Sequence, residues 1–227
     1  VSERQPLVTA KQFTVTNDYV QLEVEFPLKV ISSAVHNAGM GWYNNFLNRS
    51  ISPHYNIENV KEETVKFLVE RGFSLTNTVV MLTAVKANLV AIRSFHHELF
   101  SITIAVTAGV GNAVDVIRTY ERQDTPYIGT INTWVIVNGK LSDEAFYQAM
   151  ITATEAKTKA LAEEEIRDVQ TNTIATGTAT DSLLIAATQH GEEMPYAGPI
   201  TDVGKLIGHG VFETTVEAIR KYKQSKN

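Results

Sequence analysis

The chain of 227 residues contains no cysteine. Disulfides, thiolate nucleophiles and cysteine-ligated zinc sites are therefore excluded, and a reducing compartment is expected. Long apolar runs are also missing, because the longest fall well short of a membrane span, and the first fifteen residues lack the apolar core of a signal peptide. We therefore expect a cytoplasmic protein that has no membrane partner.

Clustered positive charge is absent as well. The chain has 20 Lys and Arg against 25 Asp and Glu, and its formal net charge is −5. Because nucleic-acid affinity depends on clustered Lys and Arg, a nucleic-acid partner is not expected. Hydrophobic residues make up 44% and charged residues 20% of the chain, which is typical of a globular protein. No linker rich in Pro, Gly or Ser divides it, so a single domain over 1–227 is predicted.

The hydrophobic pattern predicts a fold of the α/β class with α+β character, in which helices pack on a mixed β-sheet. Residues 12–27 alternate between apolar and polar on both sides of a turn at 16–18, as two antiparallel strands would. Further strands are predicted over 28–35, 76–85, 88–95, 99–109 and 130–140, with a hairpin through 96–98. Helices are predicted over 60–71, after an N-cap at Ser142, and over 203–223.

Residues 36–55 lack both helical and strand periodicity and are rich in Gly, Asn and aromatic side chains. A loop of this length is uncommon in a compact domain and often has a function. His36 opens this segment directly after an apolar strand, at a position where site residues are common. It is therefore a candidate catalytic residue, and the alternative is a surface histidine.

The segment 175–187 reads ATGTATDSLLIAA and places hydroxyl side chains and one carboxylate, Asp181, before an apolar strand. A carboxylate at a strand entry is hard to explain by packing, so Asp181 is a candidate site residue. The alternative is a turn-capping Asp that accepts hydrogen bonds from nearby N–H groups. A weak internal similarity between 105–114 and 174–183 further suggests two turns that lie side by side around one site.

Two other titratable residues are candidates. His209 begins an apolar stripe on the last helix, where a half-buried structural histidine is the alternative. Glu155 lies four residues before Lys159, and an exposed i,i+4 ion pair would explain both. Against that, the Thr and Ala residues around Glu155 would make an unusual solvated face. None of the six histidines has zinc-ligand spacing, so no metal site is predicted.

Five sequence blocks occur in the order SSAVHNAGMG, TAGVGNA, GTINTWVIVNGKLSDEAFYQAMITATEAKTKAL, TGTATDS and YAGPITDVGKLIGHGV. With these blocks the chain closely resembles the adenosylcobinamide amidohydrolase (CbiZ) family of corrinoid salvage. The resemblance runs from about Ser32 to the last helix. It implies hydrolysis of the amide that joins the aminopropanol arm to the corrin ring, which gives adenosylcobyric acid and 1-amino-2-propanol.

The resemblance also implies a small-molecule corrinoid substrate and no required cofactor, since the cobalt belongs to the substrate. A non-catalytic corrinoid carrier, in which a histidine ligates the cobalt, is the alternative function. The two-faced last helix further suggests a homodimer.

Amide hydrolysis needs a nucleophile, an oxyanion donor and an acid for the leaving amine. With no cysteine, the nucleophile is either water or a Ser or Thr hydroxyl. We predict water activated by Asp181 or Glu155, with His36 or His209 protonating the amine and backbone N–H groups of 107–112 or 176–180 binding the oxyanion. Predicted substrate contacts come from the same blocks: Ser33, Asn37, Gly39, Thr107, Gly109, Asn112, Asn132, Thr176, Gly177, Thr178, Thr180 and Gly198.

Overall fold

The computed structural model describes residues 8–52, 59–120 and 129–226 of the chain. The strands are β1 (Phe13–Val15), β2 (Tyr19–Ser32), β3 (Gly39–Ser50), β4 (Thr78–Thr83), β5 (Ala91–His96), β6 (Ser101–Ala108), β7 (Ala113–Val114), β8 (Ile131–Asn138), β9 (Lys140–Leu141), β10 (Gly177–Thr178), β11 (Ser182–Ala187) and β12 (Glu193–Met194). The helices are α1 (Val60–Glu70), α2 (Asp143–Glu163) and α3 (Asp202–Gln224). Short 3₁₀ turns cover Ala10–Gln12, Ala87–Leu89 and Val116–Arg118.

Eight of the strands form one mixed sheet in the order β4-β3-β2-β11-β8-β6-β5, with β1 paired to β2. The β3–β4 and β8–β11 pairs are parallel, and the other pairs are antiparallel. Two small sheets, β7 with β10 and β9 with β12, lie beside it. The predicted mixed sheet with packed helices is thus confirmed, as is the β5–β6 hairpin.

The large sheet folds over on itself. The register between β2 and β3 shifts between Glu23 and Leu28, where an irregularity interrupts the pairing. Although three strands separate β4 from β8 in the sheet order, Trp134 Nε1 of β8 donates to Met81 Sδ of β4 at 3.2 Å. The Asn132 side chain likewise donates to the Leu82 carbonyl at 2.8 Å. The two halves of the sheet therefore face each other.

Alternating side chains separate the core into layers. Between the facing halves lie buried residues such as Phe46, Val79 and Trp134. The opposite side of β3 and β4 packs on α1 through Leu47, Val80, Phe67 and Leu68. The outer side of β8 and β11 packs on α2 and α3, with Val135, Ile185, Phe146 and Ile207 in the contact. The result is a four-layer arrangement with one helix outside one half and two helices outside the other.

The prediction of a loop over 36–55 is wrong for the described residues, because β3 occupies Gly39–Ser50. Its pattern is obscured because the strand is exposed near its start and buried on both faces over 45–48, where it lies between β2 and β4. Two of its asparagines are also buried, and their hydrogen-bond partners come from other strands. Asn45 donates to Thr78 Oγ1 and Asn48 donates to Thr107 Oγ1. Residues 53–55 of the predicted loop lie outside the described residues.

Asn48 links the two facing halves of the sheet. Its amide donates to Thr107 Oγ1 at 2.8 Å, and its Oδ1 accepts from Asn132 Nδ2 at 2.7 Å. Asn48→Ala would leave these buried partners unsatisfied, so we expect the free energy of unfolding to fall by about 1–3 kcal/mol in urea titrations. Asn44→Ala is the control, since Asn44 is half-buried on the same strand. Equal losses in the two variants would contradict this role of Asn48.

An ion pair at the end of α2 makes stability depend on pH. Glu164 Oε1 accepts from Arg220 Nε at 2.7 Å and Oε2 from Lys223 Nζ at 3.1 Å, both on α3. Burial alone would raise the pKa of Glu164, but the hydrogen bonds from Lys223 and Arg220 outweigh it and lower this pKa. A lowered folded-state pKa stabilises the fold above the unfolded value, and that stability is lost as the pH falls through the folded value.

We expect Glu164→Gln to reduce the free energy of unfolding at pH 7 by about 0.5–1 kcal/mol. The difference from wild type should shrink as the pH falls below the ordinary glutamate pKa of about 4.3, because the unfolded chain then takes up the proton before the folded carboxylate does. Urea unfolding measured from pH 7 to pH 3 tests this. Glu163→Gln serves as the control, because Glu163 is exposed and has no ion pair among the described residues. A difference that persists unchanged at pH 3 would refute the ionic origin.

Candidate functional site

A cavity of about 260 Å³ lies between α2 and the first residues of β8 and β11. Its strand walls are Ile131, Thr133, Ser182 and Leu183, and its helix wall is Met150, Ala153 and Thr154. Ser33, Lys157 and Asp181 complete the lining. The cavity therefore combines apolar walls with an ammonium, a carboxylate and several hydroxyl groups.

Strand pairing explains why these residues converge. Because β8 and β11 are parallel, with Asn132 opposite Ser182, both strands begin at the same edge of the sheet. β2 is antiparallel to β11 and therefore ends at that edge. Ser33, directly after β2, donates its backbone N–H to the Leu183 carbonyl at 3.0 Å, and its Oγ lies 3.1 Å from Ser182 Oγ.

The carboxylate of Asp181 is fully engaged. Its Oδ1 accepts from Ile131 N at 3.0 Å and from Thr178 Oγ1 at 2.5 Å. Its Oδ2 accepts from Thr178 N at 3.2 Å and from Lys157 Nζ. A carboxylate offers about four acceptor positions, so these donors fill all of them. Asp181 thus ties the turn before β11 to the start of β8 and to α2.

Lys157 forms an ion pair with Asp181, and their side chains are only 14% and 18% exposed. Gly177 makes room for this pair, since a Cβ at that position would lie 2.5 Å from Asp181 Oδ2 and 2.9 Å from Lys157 Nζ. Beside the pair, the Thr133 side chain is buried, and its hydroxyl has no hydrogen-bond partner among the described residues. The Asp181 carboxylate is thus held by its neighbours, whereas the Thr133 hydroxyl in the cavity wall has no partner within the described part of the chain.

Several residues predicted from the sequence gather here. Asp181 and Ser33 line the cavity. The segments 105–114 and 174–183 do lie side by side, because β7 pairs with β10. Around this pairing, the carbonyl of Gly129 accepts hydrogen bonds from three predicted residues at 3.0–3.1 Å: Asn112, Thr178 and Thr180. Thr176 joins them, because its backbone N–H donates to the Val114 carbonyl at 2.9 Å.

Three predicted contact residues lie at the same end of the sheet without lining the cavity. Thr107 and Asn132 belong to the buried hydrogen-bond network with Asn48, between the sheet halves. Asn132 precedes Thr133 on β8, so its side chain points to the other face of the sheet. Gly109 donates its N–H to the Thr130 carbonyl at 2.9 Å.

The structure does not bring the remaining predicted residues to the cavity lining. His36 and Asn37 hydrogen-bond the Leu75 carbonyl beside edge strand β4, each at 2.9 Å. Gly39 begins β3 with a positive φ of 87°.

The other three residues lie on or beside the helices. His209 is exposed on α3 and contacts the Phe95 ring edge-on. Glu155 is exposed on α2, and the Gly198 carbonyl accepts from Thr201, the N-cap of α3. Their assigned roles stay predictions.

Sequence reasoning did not assign a site role to Lys157, Thr133 or Ser182. A signal for Lys157 exists, because Met150, Ala153, Thr154 and Lys157 recur at helical spacing and line the same cavity. Thr133 is an isolated hydroxyl within the apolar run of β8. Neither pattern identifies a site residue until it is known which face of the helix packs on the sheet.

The described residues contain no group of three or more His, Asp or Glu side chains placed to hold a metal ion. Within the same ranges, no helix is long and apolar enough to cross a membrane.

Comparison with solved structures shows that the fold occurs elsewhere. The PH0078 protein from Pyrococcus horikoshii superimposes with a TM-score of 0.50 over 97% of this chain and 82% of its own, at 10% sequence identity. At that identity the likeness concerns the fold alone.

Comparison with protein sequences is more specific. The family model for adenosylcobinamide amidohydrolase matches residues 4–227. The adenosylcobinamide amidohydrolase of Methanosarcina mazei is 31% identical over 175 residues, which cover 75% of this chain and 78% of that protein. The uncharacterized protein MJ1613 of Methanocaldococcus jannaschii is 28% identical over 188 residues, which cover 75% of this chain and 73% of that protein. The resemblance noted in the sequence is thereby confirmed: the chain belongs to the adenosylcobinamide amidohydrolase (CbiZ) family and is an amidohydrolase.

Proposed function

We propose that the chain hydrolyses the amide that joins the aminopropanol arm to the corrin ring of adenosylcobinamide, giving adenosylcobyric acid and 1-amino-2-propanol. The observation that carries this proposal is a cavity with a sequestered Lys157–Asp181 pair in a chain that belongs to this family. The relative from Methanosarcina bears the name of the activity. The cobalt belongs to the substrate, and the proposal includes no other cofactor.

The size of the cavity supports entry of the amide arm alone. Pockets for drug-sized ligands measure about 300–1,000 Å³, whereas this cavity measures about 260 Å³. A corrin ring is too large for it, so the ring would rest outside while the arm reaches inward. The scissile amide would then meet the hydroxyl, ammonium and carboxylate groups of the cavity walls.

Exposed apolar side chains on the side of the sheet that packs on α2 provide a surface for the ring. Met40 lies opposite Ile31 and Trp42 opposite Lys29 in the β2–β3 pairing. Cross-strand partners share a face of the sheet, and Lys29 pairs with Asp143 at the start of α2. Met40 and Trp42 therefore lie on the α2 side. Trp42 is 54% exposed, and exposed Tyr147 and Ile151 on α2 extend the apolar surface.

The nucleophile in this proposal is water or one of the cavity hydroxyls. Asp181 is the only predicted catalytic residue whose side chain lines the cavity. Its four hydrogen bonds mean that it can accept a proton from water only after one of them is given up. Catalysis by Glu155, His36 or His209 would require these side chains to reach the cavity from other surfaces of the protein.

Product release tests the proposed reaction directly. Metal-stripped protein incubated with adenosylcobinamide should release 1-amino-2-propanol and adenosylcobyric acid in equal amounts, measured by mass spectrometry. Binding of the corrinoid without release would contradict the proposal and favour the carrier function. Release that appears only after zinc is added back would contradict a reaction that needs no cofactor beyond the substrate's cobalt.

Gly177→Ala tests whether the cavity is the reaction site. The added Cβ would displace the ends of the Asp181 and Lys157 side chains, while the backbone around them can stay in place. Since misplacement of reacting groups by about 1 Å can cost about 100-fold in rate, we expect kcat for amine release to fall by about 10- to 100-fold.

Gly208→Ala is the matched control, because a Cβ there meets only Thr152 Cγ2 at an ordinary 3.7 Å. This variant should keep the wild-type kcat, and melting temperatures report whether both variants are folded. A folded Gly177→Ala protein with wild-type kcat would place the reaction elsewhere.

A further inference from the structure

We infer that Lys157 is a catalytic residue whose ammonium binds the carbonyl oxygen of the scissile amide, and that Asp181 is the residue that positions it. The inference rests on the proposed function, because it assigns these two side chains their parts in that reaction.

The two partners of this ion pair differ in the number of hydrogen-bonding positions that remain for a ligand. The four hydrogen bonds of Asp181 fill its acceptor positions. A lysine ammonium carries three N–H donors, and within the described part of the chain Asp181 is the only hydrogen-bond partner of Lys157 Nζ. Two donors therefore remain on the side chain that lines the cavity. The ammonium can bind a substrate without breaking an existing contact, and the carboxylate cannot.

The burial of the pair also favours a functional role. Of the ion pairs between described residues, this is the one in which both side chains are less than one fifth exposed. For comparison, the partners Arg93 and Glu213 are 40% and 39% exposed. Removing two charges from water costs free energy that their attraction repays only in part. Fold stability alone is therefore a weak reason to hold a lysine at this position.

The chemistry of amide hydrolysis supplies a use for a fixed cation. When water attacks the carbonyl carbon, negative charge develops on the carbonyl oxygen, and a preorganised positive charge in a partly dry site stabilises it. The C–N bond then breaks. The hydroxyl of water stays on the carbonyl carbon, and its other proton goes to the amine nitrogen. Lys157 gives up no proton in this scheme, and Asp181 fixes the direction of its ammonium.

A purely structural role for Lys157 makes a different prediction. If the lysine served only to neutralise a buried carboxylate, removing both charges together would leave the reaction intact. The double variant Lys157→Met/Asp181→Asn removes both charges and keeps side chains of similar size. It therefore separates the two roles. It does so even if Lys157→Met folds poorly because its Asp181 carboxylate has lost its partner.

The experiment compares kcat and KM for amine release from adenosylcobinamide, with thermal melting of each protein. We expect Lys157→Met to lose at least about 100-fold in kcat, with KM changed by less than about threefold. The double variant should melt closer to wild type than Lys157→Met and keep the low kcat. Asp181→Asn should lose less kcat than Lys157→Met. Lys159→Met, on the exposed side of the same helix, should behave as wild type.

Three results would overturn the inference. The first is wild-type kcat in the double variant, which would make Lys157 a neutraliser of Asp181. The second is a larger loss in Asp181→Asn than in Lys157→Met, which would make the carboxylate the reacting group. The third is a rise in KM without a fall in kcat in Lys157→Met, which would leave only ground-state binding. Failure of the proposed function is recognised separately, because the wild-type protein would then release no amine.

Discussion

The parallel pairing of β8 with β11 is the constraint on which the rest of this structure depends. Parallel strands that follow one another along the chain need a crossover connection, and here that crossover contains α2. The helix must cover the strands it connects, so Met150, Ala153 and Lys157 lie above the starts of β8 and β11. The same pairing places Asp181 beside the first residue of β8. The crossover helix that the parallel pairing requires therefore also forms a wall of the cavity.

Asp181 connects the start of β8 to the lysine that lines the cavity. Its Oδ1 satisfies the backbone N–H of Ile131 at the start of β8, and its Oδ2 holds Lys157. Burying the backbone N–H without a partner would be costly, so the carboxylate is needed even without chemistry. The charge it brings has to be balanced, and the balancing cation lines a cavity. The hydrogen bond that satisfies the backbone N–H at the start of β8 thus leads to a fixed positive charge in the cavity wall.

Much of the fold could be predicted from the sequence, because local patterns report local structure. The N-cap at Ser142 is confirmed, since its hydroxyl accepts from Ala145 N. Strand β3 was missed because Asn45 and Asn48 are buried polar residues whose partners lie in strands that come much later in the sequence. Asp181 stood out as a carboxylate at a strand entry, whereas its partner Lys157 lies 24 residues earlier on a helix. Which helix face meets the sheet depends on packing, and the sequence alone does not report that.

The arrangement also separates binding of the substrate from the chemical step. In the proposed reaction the corrin ring would rest on exposed side chains such as Trp42 and Tyr147, while the amide would lie beside Lys157 and Asp181. Apolar contacts with the ring are the same before and during the reaction, so they set affinity and leave the barrier unchanged. Charge on the amide oxygen exists only as the reaction proceeds, so its stabilisation acts on the rate. Changes at Trp42 should therefore appear in KM, and changes at Lys157 in kcat.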